Sequence, residues 1–275
     1  MDMPVIEANG MRMPRIGLGT WPLKGAECQG AVESALALGY RHLDTAEMYG
    51  NEAEVGAGLA ATLLRRDAVF LTTKIWNDKT NGDAIRRAFD ASLKRLATPY
   101  VDLLLIHWPS PALDLASVLT ALAELHAEGL ARAVGVSNFP SKLLRRALDL
   151  GIAPIACLQV EQHAMLGQQK LLDVTQPADI VTTSYTPLGK GEMLAHPVLT
   201  GIAARHGATP AQVALAWLLS KRLVAAIPKA AGPVRQAENL AAARLTLTDA
   251  DLTAIAALPK QRRFVNPAFA PEWDC

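Results

Sequence analysis

The chain alternates short apolar runs with longer amphipathic ones, unit after unit, along its 275 residues. The short runs cover residues 16–18, 40–44, 69–73, 101–106, 133–136, 155–160, 180–184 and 225–227. Several are continuous and β-branched, the pattern of strands buried on both faces. Between them lie helical patterns. Residues 26–38 end at Gly39, 115–128 end at Gly129, and 140–150 start with proline and end at Gly151. Residues 52–64 are alanine-rich, and 81–96 carry apolar side chains at a 3.6-residue period. Thr209-Pro210 opens a helix through Ser220, and 234–243 form another. Eight strand–helix units in about 250 residues predict an α/β fold, the (β/α)8 TIM barrel.

No linker or shift in composition divides the series, so residues 1–275 are expected to form one domain. Asn9-Gly10 between short apolar runs predicts an N-terminal β-hairpin. The short C-terminal tail after Pro259 is expected to lie over the barrel mouth. A doubly wound sheet is the competing arrangement. It would carry a glycine-rich phosphate turn after its first strand, and GLGTWPLKG lacks the third glycine.

Charge argues against several partners. The net charge is +1 and the charged residues are scattered, so neither nucleic acid nor a membrane surface is expected. No signal peptide or membrane-spanning run is read, and a cytoplasmic protein is expected. The three cysteines, Cys28, Cys157 and Cys275, are widely spaced and form no disulfide framework or metal motif. No metal is expected. No sticky edge or heptad appears, so a monomer is expected.

In a barrel the reactive residues sit at the C-terminal ends of the strands. The second strand ends in Asp44, with Tyr49 in the loop that follows (GYRHLDTAEMYGNE). The third ends in Lys74, with Trp76 just after, and the fourth in His107-Trp108. The fifth gives Ser137 and Asn138; the sixth carries Gln159, Glu161 and His163. The seventh ends in Tyr185 and the eighth in Lys229. Each has a bland reading alone, as a solvated strand end, a helix cap or a packed aromatic. The fold would nevertheless bring an Asp, a Tyr, a Lys and a His together from three consecutive strand ends.

That set suits one chemistry. A phenol with a pKa of about 10 is a poor acid at neutral pH. A lysine ammonium beside it is expected to lower that pKa, and an aspartate to hold the lysine charged. A neutral histidine can hydrogen-bond a carbonyl oxygen. The result polarises and protonates a carbonyl. Side chains cannot supply hydride, so a nicotinamide cofactor is implied. Ser137, Asn138 and Gln159 suit its carboxamide, Tyr185 its ring face, and Lys229 and Arg235 a phosphate near the last strand.

The residues now match a family. GYRHLDTAEMYGNEAEVG, LAELHAEGLARAVGVSNF and IPKAAGPVRQAENL resemble, in order, the three signatures of the aldo-keto reductases, and the likeness runs over essentially the whole chain. The resemblance implies Tyr49 as general acid, Asp44 and Lys74 as its tuning pair, and His107 as orienter of the substrate carbonyl. It implies nicotinamide contacts from Ser137, Asn138, Gln159 and Tyr185, and ribose contacts near Thr20 and Asp44. Leu188 and Gly189 join this cofactor set. Lys229, Arg235, Glu238 and Asn239 resemble the adenine and 2′-phosphate site, so NADPH (NADP+) is the implied cofactor. KIWND, LLLIHWPSP and APEWD are similar to the short bacterial members that reduce diketo sugar acids and methylglyoxal.

Two departures stand out. Ala230 follows Lys229 where the family carries Ser or Thr on the 2′-phosphate. One hydrogen bond to a charged group is worth roughly 1.5–3 kcal/mol, so NADPH preference is weakened while Lys229 and Arg235 remain. Leu158 and Gln162 in the sixth strand also differ from the family pattern and bear on the site floor. For substrate, Trp21, Trp76 and Trp108 predict an apolar collar beside Tyr49 and His107, with Lys24 and Lys79 the candidate cations for a carboxylate. A nucleotide-binding regulatory subunit with little turnover, and a Schiff-base enzyme using Lys74, are the rival readings.

Overall fold

The computed structural model describes residues 4–274. A hairpin comes first, β1 (Val5–Ala8) and β2 (Met11–Pro14), paired antiparallel. Its turn holds Asn9 and Gly10 at φ 47° and 72°, the positive angles that a two-residue hairpin turn demands.

Eight parallel strands follow: β3 (Leu18–Gly19), β4 (His42–Asp44), β5 (Phe70–Ile75), β6 (Leu103–Ile106), β7 (Val134–Ser137), β8 (Ile155–Glu161), β9 (Val181–Tyr185) and β10 (Val224–Ala226). Each pairs with the next in chain order. The ends meet through parallel bridges from Ile16 to Ala226 and from Gly19 to Lys229. The curled sheet therefore closes, as expected of the (β/α)8 barrel. At the seam a Cβ on Gly19 would lie 2.6 Å from the Ile227 carbonyl oxygen, so only glycine lets the two backbones approach.

Helices cover the outside: α1 (Gly25–Leu38), α2 (Glu52–Ala60), α3 (Gly82–Leu96), α4 (Leu115–Ala127), α5 (Ser141–Asp149), α6 (Gln169–Thr175), α7 (Pro197–His206), α8 (Pro210–Leu219), α9 (Pro233–Ala241) and α10 (Asp249–Ala256). Strand alternation sorts two cores. Leu104 and Ile106 face the helices, while Leu103 and Leu105 face inward with Phe70, Cys157 and Val181. Ile6, Met11 and Met13 of the hairpin pack on that inner set and close the N-terminal end of the barrel. The C-terminal end remains for chemistry.

The elements depart from the sequence reading in particular places. The helix expected over 52–64 stops at Ala60. Arg66 bonds the carbonyls of Val69 and Tyr100 and the Asp102 carboxylate, drawing the chain away into the next strand. Pro140 is the N-cap of α5 rather than its first turn. Three helices were not anticipated. Seven-residue α6 is too short to show a period. The box that caps α10 pairs Thr248 with Asp251 in place of the usual Glu or Gln. The third, α7, is capped by the His196 ring, which accepts from the Val198 N–H.

Candidate active site

Inward parity delivers the key residues. On β5 the side chains of Phe70, Thr72 and Lys74 share the inner face, so Lys74 points into the barrel near its mouth. Asp44 ends β4 beside Thr72. Lys74 is fully buried, and its Nζ donates to Asp44 Oδ1 at 2.5 Å, to the Thr45 carbonyl at 2.8 Å and to the Tyr49 hydroxyl at 3.4 Å. The second Asp44 oxygen accepts from Gln159 Nε2 at 2.7 Å. A buried charge is tolerable only when paired and hydrogen-bonded in this way.

Tyr49 ends a short 3₁₀ turn, Glu47–Tyr49, whose position rests on buried Asn51. The Asn51 amide donates to the carbonyls of Thr20 and Leu23, and its oxygen accepts from the Thr45 hydroxyl. One side chain thus ties the Trp21 loop to the Tyr49 loop. Nothing in the sequence marked it, because a buried asparagine in a loop has no period. Thr20 also donates from its hydroxyl to the Asp44 carbonyl at 3.0 Å.

Electrostatics sharpen the roles. Desolvation pulls the Lys74 ammonium down, but Asp44 and Tyr49 outweigh it, and its pKa lies above the ordinary value. A protonated lysine is the opposite of what a Schiff-base nucleophile needs. For Tyr49, burial raises the pKa more than Lys74 lowers it, and Asp44 adds to the rise. The expected lowering toward neutrality is therefore not found: in this dry site desolvation wins. His107 is held well below the ordinary histidine range by burial and then by Lys74, so its ring is neutral. Among the described residues neither ring nitrogen has a hydrogen-bond partner, and Nδ1 is sealed from solvent. The ring stands edge-on to Tyr49 and Trp76, with centroids 5.4 Å and 5.1 Å away. An unsatisfied buried polar group is uncommon and points to a role beyond stability.

The walls come from separate loops. Trp21 is half exposed, its ring 5.2 Å from that of Tyr49. Trp76 is held by its backbone N–H to Glu47 Oε2. Trp108 is buried, covered by Phe269 and Trp273 of the tail, so it supports the wall more than it lines it. Phe269 also meets Trp76 edge-on at 5.5 Å. The tail does cross the mouth, and Phe269 and Trp273 are wall residues that the sequence reading left unassigned. Of the two candidate cations, Lys79 is paired with Glu47 and Asp78, and Lys24 donates to the Tyr49 carbonyl.

The expected cofactor residues fall into two groups. Near the mouth, Asn138 donates to the His107 carbonyl at 2.9 Å and to the Ser137 hydroxyl at 3.0 Å, and accepts from the Tyr185 hydroxyl at 2.8 Å. Tyr185 is half-buried, and Leu188 and Gly189 lie just beyond it, where the 3₁₀ segment Gly189–Ala195 begins. Below, Gln162 accepts from the Ser184 hydroxyl, and Leu158 packs outward in the core. Apart from these, Lys229 at the seam and Arg235 on α9 are exposed. Neither has a carboxylate within ion-pair range among the described residues. Glu238 accepts from the Thr209 hydroxyl at 2.6 Å, and Asn239 is buried beside it on α9. A half-buried tyrosine ring at the mouth and exposed cations beside the last strand are residue types that fit a nicotinamide nucleotide.

Cys28 and Cys157 are buried, and desolvation pushes their thiols up to about 11 and about 12, so neither is a ready nucleophile. Cys275 lies outside the described residues. Among the described residues no helix is long and apolar enough to cross a membrane.

Known proteins resemble the whole chain. The model of the aldo/keto reductase family matches residues 15–260. An aldo-keto reductase of Mycolicibacterium smegmatis is 42% identical over 257 residues, 93% of each chain. The methylglyoxal reductase DkgB of Yersinia pestis is 40% identical over 268 residues, 96% of this chain and 100% of the relative. Among solved structures, one provisionally assigned as a 2,5-diketo-D-gluconic acid reductase B has a TM-score of 0.96 and 42% identity. It covers 100% of this chain and 98% of its own. An aldo/keto reductase from Brucella melitensis has a TM-score of 0.89 and 39% identity, with 93% and 98% covered.

Proposed function

Because the chain belongs to the aldo/keto reductase family, we propose that it is a monomeric, single-domain, NADPH-dependent reductase of small aldehydes and ketones. Reduction of carbonyls with a nicotinamide nucleotide is the chemistry of that family. Methylglyoxal and 2,5-diketo-D-gluconate are the substrates suggested by the relatives' names. The observation that carries the reading is the buried Asp44–Lys74 pair reaching the Tyr49 hydroxyl, with a neutral, unpartnered His107 beside it.

When bound, the reduced nicotinamide supplies a hydride to the carbonyl carbon. His107 donates a hydrogen bond to the carbonyl oxygen and fixes which atom faces Tyr49. The Tyr49 hydroxyl gives its proton to that oxygen as negative charge develops there. Its raised pKa keeps the donor loaded across the neutral range. The Lys74 ammonium then steadies the phenolate, and Asp44, itself held by Gln159, keeps that ammonium in place. Desolvation strengthens each of these interactions.

NADPH rather than NADH is supported by the exposed, unpaired Lys229 and Arg235, although buried Ala230 offers no hydroxyl to a 2′-phosphate. The closed barrel leaves no free edge in the main sheet among the described residues, which supports the monomer. The test is the loss of NADPH absorbance with methylglyoxal, a diketo sugar acid and a panel of aldehydes. Turnover with at least one carbonyl, and a higher kcat/KM for NADPH than for NADH, are expected. No turnover across the panel would overturn the reductase, and a clear NADH preference would overturn the cofactor assignment.

A further inference from the structure

Glu161, the last residue of β8, is fully buried and takes no part in the chemistry above. Its side chain shares the inner face with Cys157 and Gln159. Three N–H groups converge on it. Oε1 accepts from the Phe264 N–H at 2.7 Å and from His163 Nε2 at 3.1 Å, and Oε2 accepts from the Val265 N–H at 2.9 Å. The Met165 N–H donates to His163 Nδ1, so the ring proton sits on Nε2 and points at the carboxylate. The Arg263 guanidinium is 3.9 Å away, an ion pair beyond hydrogen-bond range.

Two of those donors are backbone groups of the tail. The same stretch is gripped from its other side, since Lys190 donates to the Phe264 carbonyl and Arg262 pairs with Glu192. Further on, Asp274 accepts from the Ser141 N–H and hydroxyl, both at 2.7 Å. The tail is thus a strap, held at its start by Glu161 together with Lys190, Glu192 and the Met165 carbonyl, and at its end by the start of α5. Phe269 lies between them, its ring against Trp76 and Trp108. Three residues separate Val265 from Phe269, so the position of that ring depends on where the start of the tail is held.

We propose that Glu161 is a positioning residue that fixes the tail across the mouth and so limits the size of carbonyl compound admitted. The inference rests on the reductase reading for its catalytic consequence. The anchor itself is a buried carboxylate satisfied by tail amides. Charge-assisted bonds of this kind are the strong ones, and Glu161 offers its two oxygens to two consecutive N–H groups.

The test is Glu161→Gln in the full chain, which keeps shape and one acceptor oxygen but removes charge and the second acceptor. Hydrogen exchange at Phe264 and Val265 is expected to quicken by about tenfold or more. kcat for methylglyoxal is expected to stay within about threefold, and the kcat/KM ratio of a bulky aryl aldehyde to methylglyoxal to shift by about tenfold, the loss expected of one charged hydrogen bond. In a Phe269→Ala background the same substitution should leave that ratio nearly unmoved, because the wall it positions is already gone. If Glu161→Gln does not fold, Val265→Pro removes one donor from the tail side, and it should quicken exchange at Phe264 and give the same substrate shift. Unchanged exchange, an equal loss for all substrates, or full additivity with Phe269→Ala would overturn the proposal. Should no carbonyl be turned over at all, the reductase reading falls, while the exchange measurement still decides the anchor.

Discussion

The corner of the mouth proposed for acid–base chemistry and the corner beside the last strand proposed for a phosphate are built by opposite means. At the first, Asp44 and Lys74 are buried, and each charged atom has partners: Lys74 meets Asp44, Thr45 and Tyr49, and Asp44 also meets Gln159. At the second, Lys229 and Arg235 stand in solvent without carboxylate partners among the described residues. The difference is one of dielectric and purpose. Proton transfer needs a fixed distance in a dry site, where an ion pair is strong and the loss of one partner is severe. Recognition of a phosphate needs cations that are available, and water screens them until the anion arrives.

The contrast can be broken in three ways, taken from the largest effect down. Lys74→Met leaves Asp44 charged in a buried site. It should lower stability by about 3–5 kcal/mol in a denaturant titration, as removal of one partner of a buried pair does, and abolish most turnover. A change under 1 kcal/mol would mean that the corner is wet. Next, Tyr49→Phe and Lys229→Ala should separate the two corners. Tyr49→Phe should reduce kcat by roughly 10²–10⁴ and leave NADPH affinity unaltered by fluorescence titration. Lys229→Ala should leave kcat alone and weaken NADPH roughly tenfold, less so at high salt. An effect of Tyr49→Phe on KM alone would assign it to binding.

The smallest effect is in pH. His107 and His42 are buried, and desolvation first holds both below the ordinary histidine value. The unfolded chain takes up protons as pH falls through about 6.5, while the folded chain does not. Their contribution to stability is therefore complete above that value and lost below it, by up to about 1.4 kcal/mol per pH unit for each. Melting temperature followed from pH 7.5 to 5 should fall, and a flat profile would show that these rings titrate normally.

Much of the scaffold was legible because it is written in period. Continuous β-branched runs named the eight strands, Asn9-Gly10 named the hairpin, and strand ends named Asp44, Lys74 and His107. Helices α6, α7 and α10 were not legible, because short or unusually capped segments carry no period of their own. In the site, Gln159 donates through Nε2 to Asp44, a bond not expected from the sequence. Lys79 was a candidate for a substrate carboxylate and is neutralised by Glu47 and Asp78. Both differences arise from side chains brought together by loops of separate strands, which spacing along one chain does not encode.

The amino-acid sequence alone determined the barrel and the identity of the groups at its mouth, because strand parity and order are local properties summed along the chain. Tertiary structure alone decided their electrostatic state. Burial raised Tyr49 where the lysine had been expected to lower it, and it left His107 neutral and unpartnered. It also decided that the tail is strapped by Glu161 over the tryptophans. Desolvation and long-range contact depend on everything packed around a group, and no local pattern records that.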